Sequence, residues 1–242
     1  MSAPAAVQAF LSGVQLYDQT NDIATLDHAI TAGRMVVSTE QDIETWRVMI
    51  TVLGQALLRR YEATRDRDAL AESVQALRTV SHNLPVGHKT RPKALLTLGQ
   101  ALREAANNEG RMDIADEAIH WFEQCATIPS GVRSDAYFGL STCLKFKADR
   151  TGDPVLLQHA AGAARYAVGF APDSMLRGRN LLYLATLLAL LHRKTGQPDA
   201  IREAVEACKE AVRLSPEGPE RRNREKTAAV LQIQADSGWW LE

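Results

Sequence analysis

One phrase returns along this 242-residue chain at a near-constant interval, and that recurrence restricts its fold more than any other feature. LGQALLRRYEATRD begins at Leu53, LGQALREAANNEGR at Leu98, LSTCLKFKADRTGD at Leu140 and LATLLALLHRKTGQ at Leu184, so the copies stand 45, 42 and 44 residues apart. A fainter copy, AFLSGVQLYDQTND, begins at Ala9, 44 residues before Leu53. A unit of this length is one supersecondary element that cannot bury its own apolar face, so successive units must stack on one another.

Each copy opens with apolar residues at helical spacing, as in Leu53, Ala56, Leu57 and Tyr61, or Leu184, Leu187, Leu188 and Leu191. That stripe predicts a first helix, A, in every unit. The A helices run to a column occupied by Asn21, Arg65, Gly110, Gly152 and Gly196. Gly and Asn there suit the left-handed residue that closes a helix, whereas Arg65 predicts a strained turn or one of different geometry. Asp22, Asp66, and Asp153 or Pro154 then suit the start of a second helix, B. Its apolar stripe reads Leu70, Val74, Leu77 and Leu84 in one unit, Ala118, Ile119, Phe122 and Cys125 in the next. The stripe continues as Leu157, Ala161, Ala164 and Ala167, then Ile201, Val205, Cys208 and Val212. Pro85, Pro172 and Pro216, with Pro129 one place early, stop the B helices. Gly54, Gly99, Ser141 and Ala185 mark where paired helices must approach closely.

The reading is therefore all-α: about five helix-turn-helix units over residues 5–40, 44–85, 91–129, 134–172 and 177–216, then a cap helix over 218–235. Residues 1–235 form one repeat domain, and the cap is expected to solvate the array's end with Arg221, Arg222, Arg224, Glu225 and Lys226. The tail, 236–242, carries Trp239 and Trp240 and is expected to fold back on the array or to serve as a docking element.

Composition narrows the function. The formal net charge is −1, so no overall field draws the chain to nucleic acid or to an anionic membrane. The longest apolar run, Leu181 to Leu191, is too short to span a bilayer. Met1 to Leu16 has no Lys or Arg ahead of its apolar stretch and does not read as a secretory signal. Cys125, Cys143 and Cys208 are odd in number, widely spaced and outside any CxxC pattern, which fits a reducing, cytoplasmic setting.

Signatures of chemistry are sparse. The chain holds no GxxxxGK[ST], GxGxxG, HExxH, GxSxG or SxxK pattern. His28, His82, His88, His120, His159 and His192 never pair at i,i+4, so neither a metal nor a cofactor is expected. The cysteines fall on apolar stripes and read as small core residues. Carboxylates such as Asp66, Asp68 and Glu72, or Asp113, Asp116 and Glu117, coincide with the starts of B helices, where negative charge suits the helix dipole. No catalytic residue is assigned.

A helix reading LGxALxxRYxxTGD, followed by an Ala-rich helix that ends in Ala-Val before a proline, resembles tetratricopeptide-like repeats of the longer period found beside CHAT peptidase domains. LGQALLRRYEATRD at Leu53 and the segment ending at Pro216 carry the resemblance, which covers about residues 9–216. It implies a right-handed superhelical solenoid whose concave wall is made by A helices. It also implies binding rather than catalysis: a protein- or peptide-binding scaffold or adaptor. The alternative is a regulatory or accessory subunit of a separately encoded enzyme, such as a CHAT-like peptidase or a signalling ATPase. The residues after the cap helix are too few for a peptidase domain, so proteolysis is expected only from another chain.

Carried over by that resemblance, the groove comprises Val48, Thr51, Gln55 and Arg59, then Lys93, Leu96, Gln100 and Arg103. It continues through Asp135, Phe138, Thr142 and Lys145 to Arg179, Leu182 and Thr186. Arg59, Lys93, Arg103, Lys145 and Arg179 outnumber Asp135, which predicts a mildly basic surface suited to an acidic peptide or a C-terminal carboxylate. The same side chains would equally serve to solvate a helix face. A second column, Arg78, Arg165 and Lys209 on the B helices, reads as solvated outer surface.

Overall fold

The computed structural model describes residues 3–237, which contain eleven α-helices and no strand. The expected all-α helical repeat forms. Helices alternate as A and B: α1 (Ala3–Thr20) with α2 (Ile23–Thr39), α3 (Ile43–Thr64) with α4 (Arg67–Asn83), and α5 (Arg91–Glu109) with α6 (Met112–Thr127). Next come α7 (Arg133–Thr151) with α8 (Pro154–Gly169), α9 (Ser174–Thr195) with α10 (Pro198–Arg213), and a final α11 (Pro219–Ser237). The chain divides into two compact units, residues 1–117 and 118–242, and the division falls inside α6.

Local chemistry explains the helix ends. All five residues of the closing column are left-handed, with φ of 53° at Asn21, 59° at Arg65, 70° at Gly110, 73° at Gly152 and 71° at Gly196. Arg65 thus takes the same turn as the glycines, at the steric cost its Cβ imposes. Asp22, Asp66 and Asp153 accept hydrogen bonds from the first free amides of α2, α4 and α8, and Asp42 and Asp173 do the same for α3 and α9. The Thr25 hydroxyl, then the Thr25 amide, hold the Asp22 carboxyl below the ordinary aspartate value, and the Thr45 amide, then its hydroxyl, do the same for Asp42.

In the first unit, Phe10, Leu26, Ile30, Met49, Leu53 and Leu57 share one core. Size matching sets how closely its helices approach. Gly54 of α3 lies against Leu77 of α4, where an added Cβ would come within 2.5 Å of Leu77 Cγ, and the Ser73 hydroxyl donates to the Gly54 carbonyl at 2.7 Å. The α1–α2 pair reverses the sizes: Phe10 stands at the position equivalent to Gly54 and packs on Gly33, at the position equivalent to Leu77. This reversal is why the first copy is faint in sequence while its core is intact.

The second unit buries Leu157, Leu184, Leu187, Leu188, Ile201 and Cys208, joined by Leu231 from α11. Each fully buried leucine contributes roughly 1.5–3 kcal/mol of transfer free energy. Serines again tie paired helices together, with Ser141 Oγ donating to the Ala160 carbonyl at 2.6 Å and Ser134 Oγ to the Ala167 carbonyl at 2.8 Å.

One expectation needs correction. Arg78 and Arg165 are not simply solvated. Each grips a glutamate of the next B helix through two nitrogens, Arg78 to Glu117 at 2.7 and 2.5 Å and Arg165 to Glu203 at 2.6 and 2.7 Å. Arg34 and Glu72 make the same rung at 2.8 and 2.5 Å, and all three are bidentate pairs that join the B helices of consecutive repeats. Glu123 and His159 occupy the corresponding positions on the B helices of the third and fourth repeats, where the pattern lapses. The expected cap helix, α11, forms, and a buried arginine anchors it. Arg224 is 8% exposed and donates to Ser215 Oγ at 2.8 Å and to the Ala211 carbonyl at 3.3 Å, near the C-terminal end of α10, where carbonyls lack helical partners.

Candidate functional site

The residues expected to line a groove fall on A helices in both units, and each unit presents its own portion. In the first, α3 carries Gln55 and Arg59 and α5 carries Lys93, Gln100 and Arg103. Lys93 is exposed and the other four are half-buried. Thr51 and Leu96 do not join them. They are 1% and 4% exposed, because they face a neighbouring helix, and the Thr51 hydroxyl is occupied by the Arg47 carbonyl at 2.8 Å. The Gln55 side-chain nitrogen is buried and finds no acceptor among the described residues.

Electrostatics on this face differ from expectation. Arg59 pairs with Asp18 of α1 at 2.7 Å and Arg103 with Glu104 at 2.8 Å. In the second unit Lys145 pairs with Asp149 at 2.6 Å and Arg179 reaches Asp135 at 3.5 Å. The predicted basic surplus is thereby offset: Glu104 and Asp149 pair with cations of their own helices, whereas Asp18 and Asp135 reach theirs from neighbouring helices. Glu62 lies in the same neighbourhood. Partial burial, then the nearby Glu104, hold its carboxyl above the ordinary value, while Arg103, Arg59 and Arg65 pull the other way.

The second unit has the more structured portion. Phe138 of α7 and Tyr183 of α9 place their ring centroids 4.9 Å apart, and the Arg179 guanidinium lies over the Phe138 ring at 4.8 Å. Thr142 is half-buried, its hydroxyl donating to the Gly139 carbonyl at 2.7 Å. Toward the C-terminal ends of α7 and α9 the surface deepens into a groove of about 440 Å³ bordered also by α11. Ala185, Ala189, Leu190 and Leu231 make its apolar floor, and Lys145, Thr186, Arg193 and Gln234 its polar rim. Lys145 and Thr186 were expected on this surface. Ala189, Leu190 and Arg193 were not, although continuing the Arg179, Leu182, Thr186 stripe by three, four and seven residues leads straight to them. Leu231 and Gln234 belong to the helix read only as a cap.

No metal-binding group of three His, Cys, Asp or Glu residues occurs among the described residues. Cys125, Cys143 and Cys208 are buried, and burial pushes the Cys208 thiol up while Arg224 opposes it. No described helix is long and apolar enough to cross a membrane. Trp239 and Trp240 lie outside the described residues.

No protein-family model matches this sequence, and no curated protein matches it. Solved structures do. The de novo designed helical repeat protein DHR64 is 15% identical, with 95% of this chain and 96% of that one covered and a TM-score of 0.32. The DHF119 filament is 16% identical over 97% and 95%, with a TM-score of 0.21. A self-assembling cyclic homooligomer made by computational design is 14% identical over 97% and 92%, with a TM-score of 0.22.

Proposed function

We propose that this chain is a non-catalytic scaffold that binds a protein or peptide along the exposed face of its A helices. The observation that carries this reading is the groove of the second unit. There an apolar floor (Ala189, Leu190, Leu231) lies beneath the cationic Arg193 and the Asp149-paired Lys145, and the Phe138–Tyr183 ring pair continues the same helix faces. A peptide with a bulky apolar side chain and a neighbouring carboxylate matches both features, since aromatic and apolar anchors supply affinity and charge supplies orientation. The tetratricopeptide-like phrases at Leu53 and before Pro216 support the same reading, as does the burial of Cys143, at 1% exposed, which withholds that thiol from substrate. Those phrases also support the alternative, an accessory subunit of a separately encoded enzyme of the CHAT-peptidase or signalling-ATPase kind in the cytoplasm. Nucleic acid and membrane are not among the proposed partners.

Comparative affinity capture tests the groove. Wild type is set beside Ala189→Arg, which fills the floor, and beside Lys145→Glu/Arg193→Glu, which inverts the rim. Partners are expected to disappear from both variants while the helical circular dichroism stays unchanged. An identical partner set in all three proteins refutes the groove.

A further inference from the structure

The groove of the second unit carries charge of one sign. Its wall contains Lys145 and Arg193 and no carboxylate. Lys145 is held by Asp149, whereas Arg193 is exposed and makes no ion pair among the described residues. Ala185 and Leu231 are buried, and half-buried Ala189 and Leu190 supply the apolar surface that a ligand can touch. An occupant therefore needs bulky apolar groups within a few residues of a carboxylate.

This chain carries such a sequence beside the groove itself. Helix α11 lends Thr227, Leu231 and Gln234 to the wall and ends at Ser237, just beyond Gln234. Gly238, Trp239, Trp240, Leu241 and Glu242 follow, three large apolar side chains and then an acid. Five extended residues span roughly 17 Å, whereas the α9 wall from Ala185 to Arg193 is about 12 Å long at the helical rise, so the segment is long enough to line it. Attachment to the wall holds it at an effective concentration of about millimolar, so a free peptide needs tighter contacts to compete.

We propose that Trp239, Trp240, Leu241 and Glu242 occupy this groove and regulate access to it. The indoles lie on Ala189 and Leu190, and the Glu242 carboxylate meets the Arg193 guanidinium. The inference rests on the groove being a peptide site and names its resident competitor. A partner must displace the segment, so its apparent affinity falls by the fraction of chains whose groove is open.

The test uses the full chain labelled with 5-fluorotryptophan, and the synthetic pentapeptide Gly-Trp-Trp-Leu-Glu as probe. Trp239→Phe and Trp240→Phe assign the two fluorine resonances. Ala189→Arg and Arg193→Glu should each move them toward those of the free pentapeptide, and dilution of wild type should leave them in place. The pentapeptide should bind Trp239→Ala/Trp240→Ala at least about tenfold more tightly than wild type, whose groove is already filled. The proposal is overturned by resonances that neither groove variant moves, or by equal pentapeptide affinity in the two proteins. It is also overturned by resonances that shift on dilution, which would assign the segment to the groove of a second copy. Should Ala189→Arg lose its helical signal, Arg193→Glu, at an exposed position, decides alone. Unmoved resonances with captured partners lost from Ala189→Arg would strike this inference and leave the peptide groove standing, whereas retained partners would strike the groove itself.

Discussion

Replacing Gly139 by alanine separates two opposing effects of one methyl group. Gly139 lies in α7, where a Cβ would meet the fully buried Phe122 ring, with Cε2 at 2.8 Å. Gly162 lies within α8 and a Cβ there meets nothing within 4 Å. Both glycines are inside helices, so alanine gains about 1 kcal/mol of helix propensity at each. At Gly162 nothing opposes that gain, and Gly162→Ala should stabilise by about 1 kcal/mol. At Gly139 the methyl overpacks a rigid ring, which costs about 1–3 kcal/mol before the propensity gain is subtracted. Subtracting the Gly162→Ala result from the Gly139→Ala result cancels propensity and leaves the overpacking cost, an expected gap of about 1–3 kcal/mol. Both sites are in the second unit, so urea unfolding followed by far-ultraviolet circular dichroism compares them within one folding body. In thermal melts the gap corresponds to roughly 2–4 °C per kcal/mol for a protein of this size. Adding Phe122→Leu to Gly139→Ala should recover part of the loss relative to the two single variants. Equal stability changes at the two glycines would refute the argument that ring contact, rather than backbone preference, keeps residue 139 small.

Two further outcomes follow from the first unit. Arg65→Gly should stabilise by about 0.5–1 kcal/mol, because removing a Cβ from a left-handed turn regains about 1–2 kcal/mol and the freer unfolded glycine returns part of it; a urea midpoint below that of wild type would contradict this. Glu62 holds its proton more tightly when folded than the ordinary 4.5, so the folded state binds more protons and stability falls as pH rises from that value through the higher folded one. Glu62→Gln removes that slope, so the variant should gain stability relative to wild type as melts are moved from acid to neutral pH; parallel pH profiles for the two proteins would argue against it.

Particular residues show where sequence reasoning reached the structure and where it stopped. The closing column was legible because its cause is local: a left-handed residue ends a helix whatever surrounds it, and even Arg65 complies. The Asp starts, the proline stops and the small residue at Gly54 were legible for the same reason. The groove residues were read from one helix face at a time, which found Lys145 and Thr186 but promised a basic surface. Asp18 lies on another helix from Arg59, and its pairing with that arginine is a fact of packing, invisible along one stripe. Arg224 looks like a solvent-facing cation in a charged segment until α10 supplies the carbonyl it caps.

Helical periodicity, turn residues and a repeat of 42–45 residues thus determined by themselves that this chain forms paired helices with one apolar side each. Those properties depend on residues within a few positions of one another, which is the range that backbone sterics and amphipathic spacing act over. What only the tertiary structure decided is which side chains from different helices meet. Phe10 fits Gly33 in place of the Gly54–Leu77 arrangement, glutamates neutralise the outer arginines of the preceding unit, and α9 and α11 together close a groove that neither helix suggests alone. Contacts of that kind arise from packing across tens of residues, where size and charge are matched in space rather than along the chain.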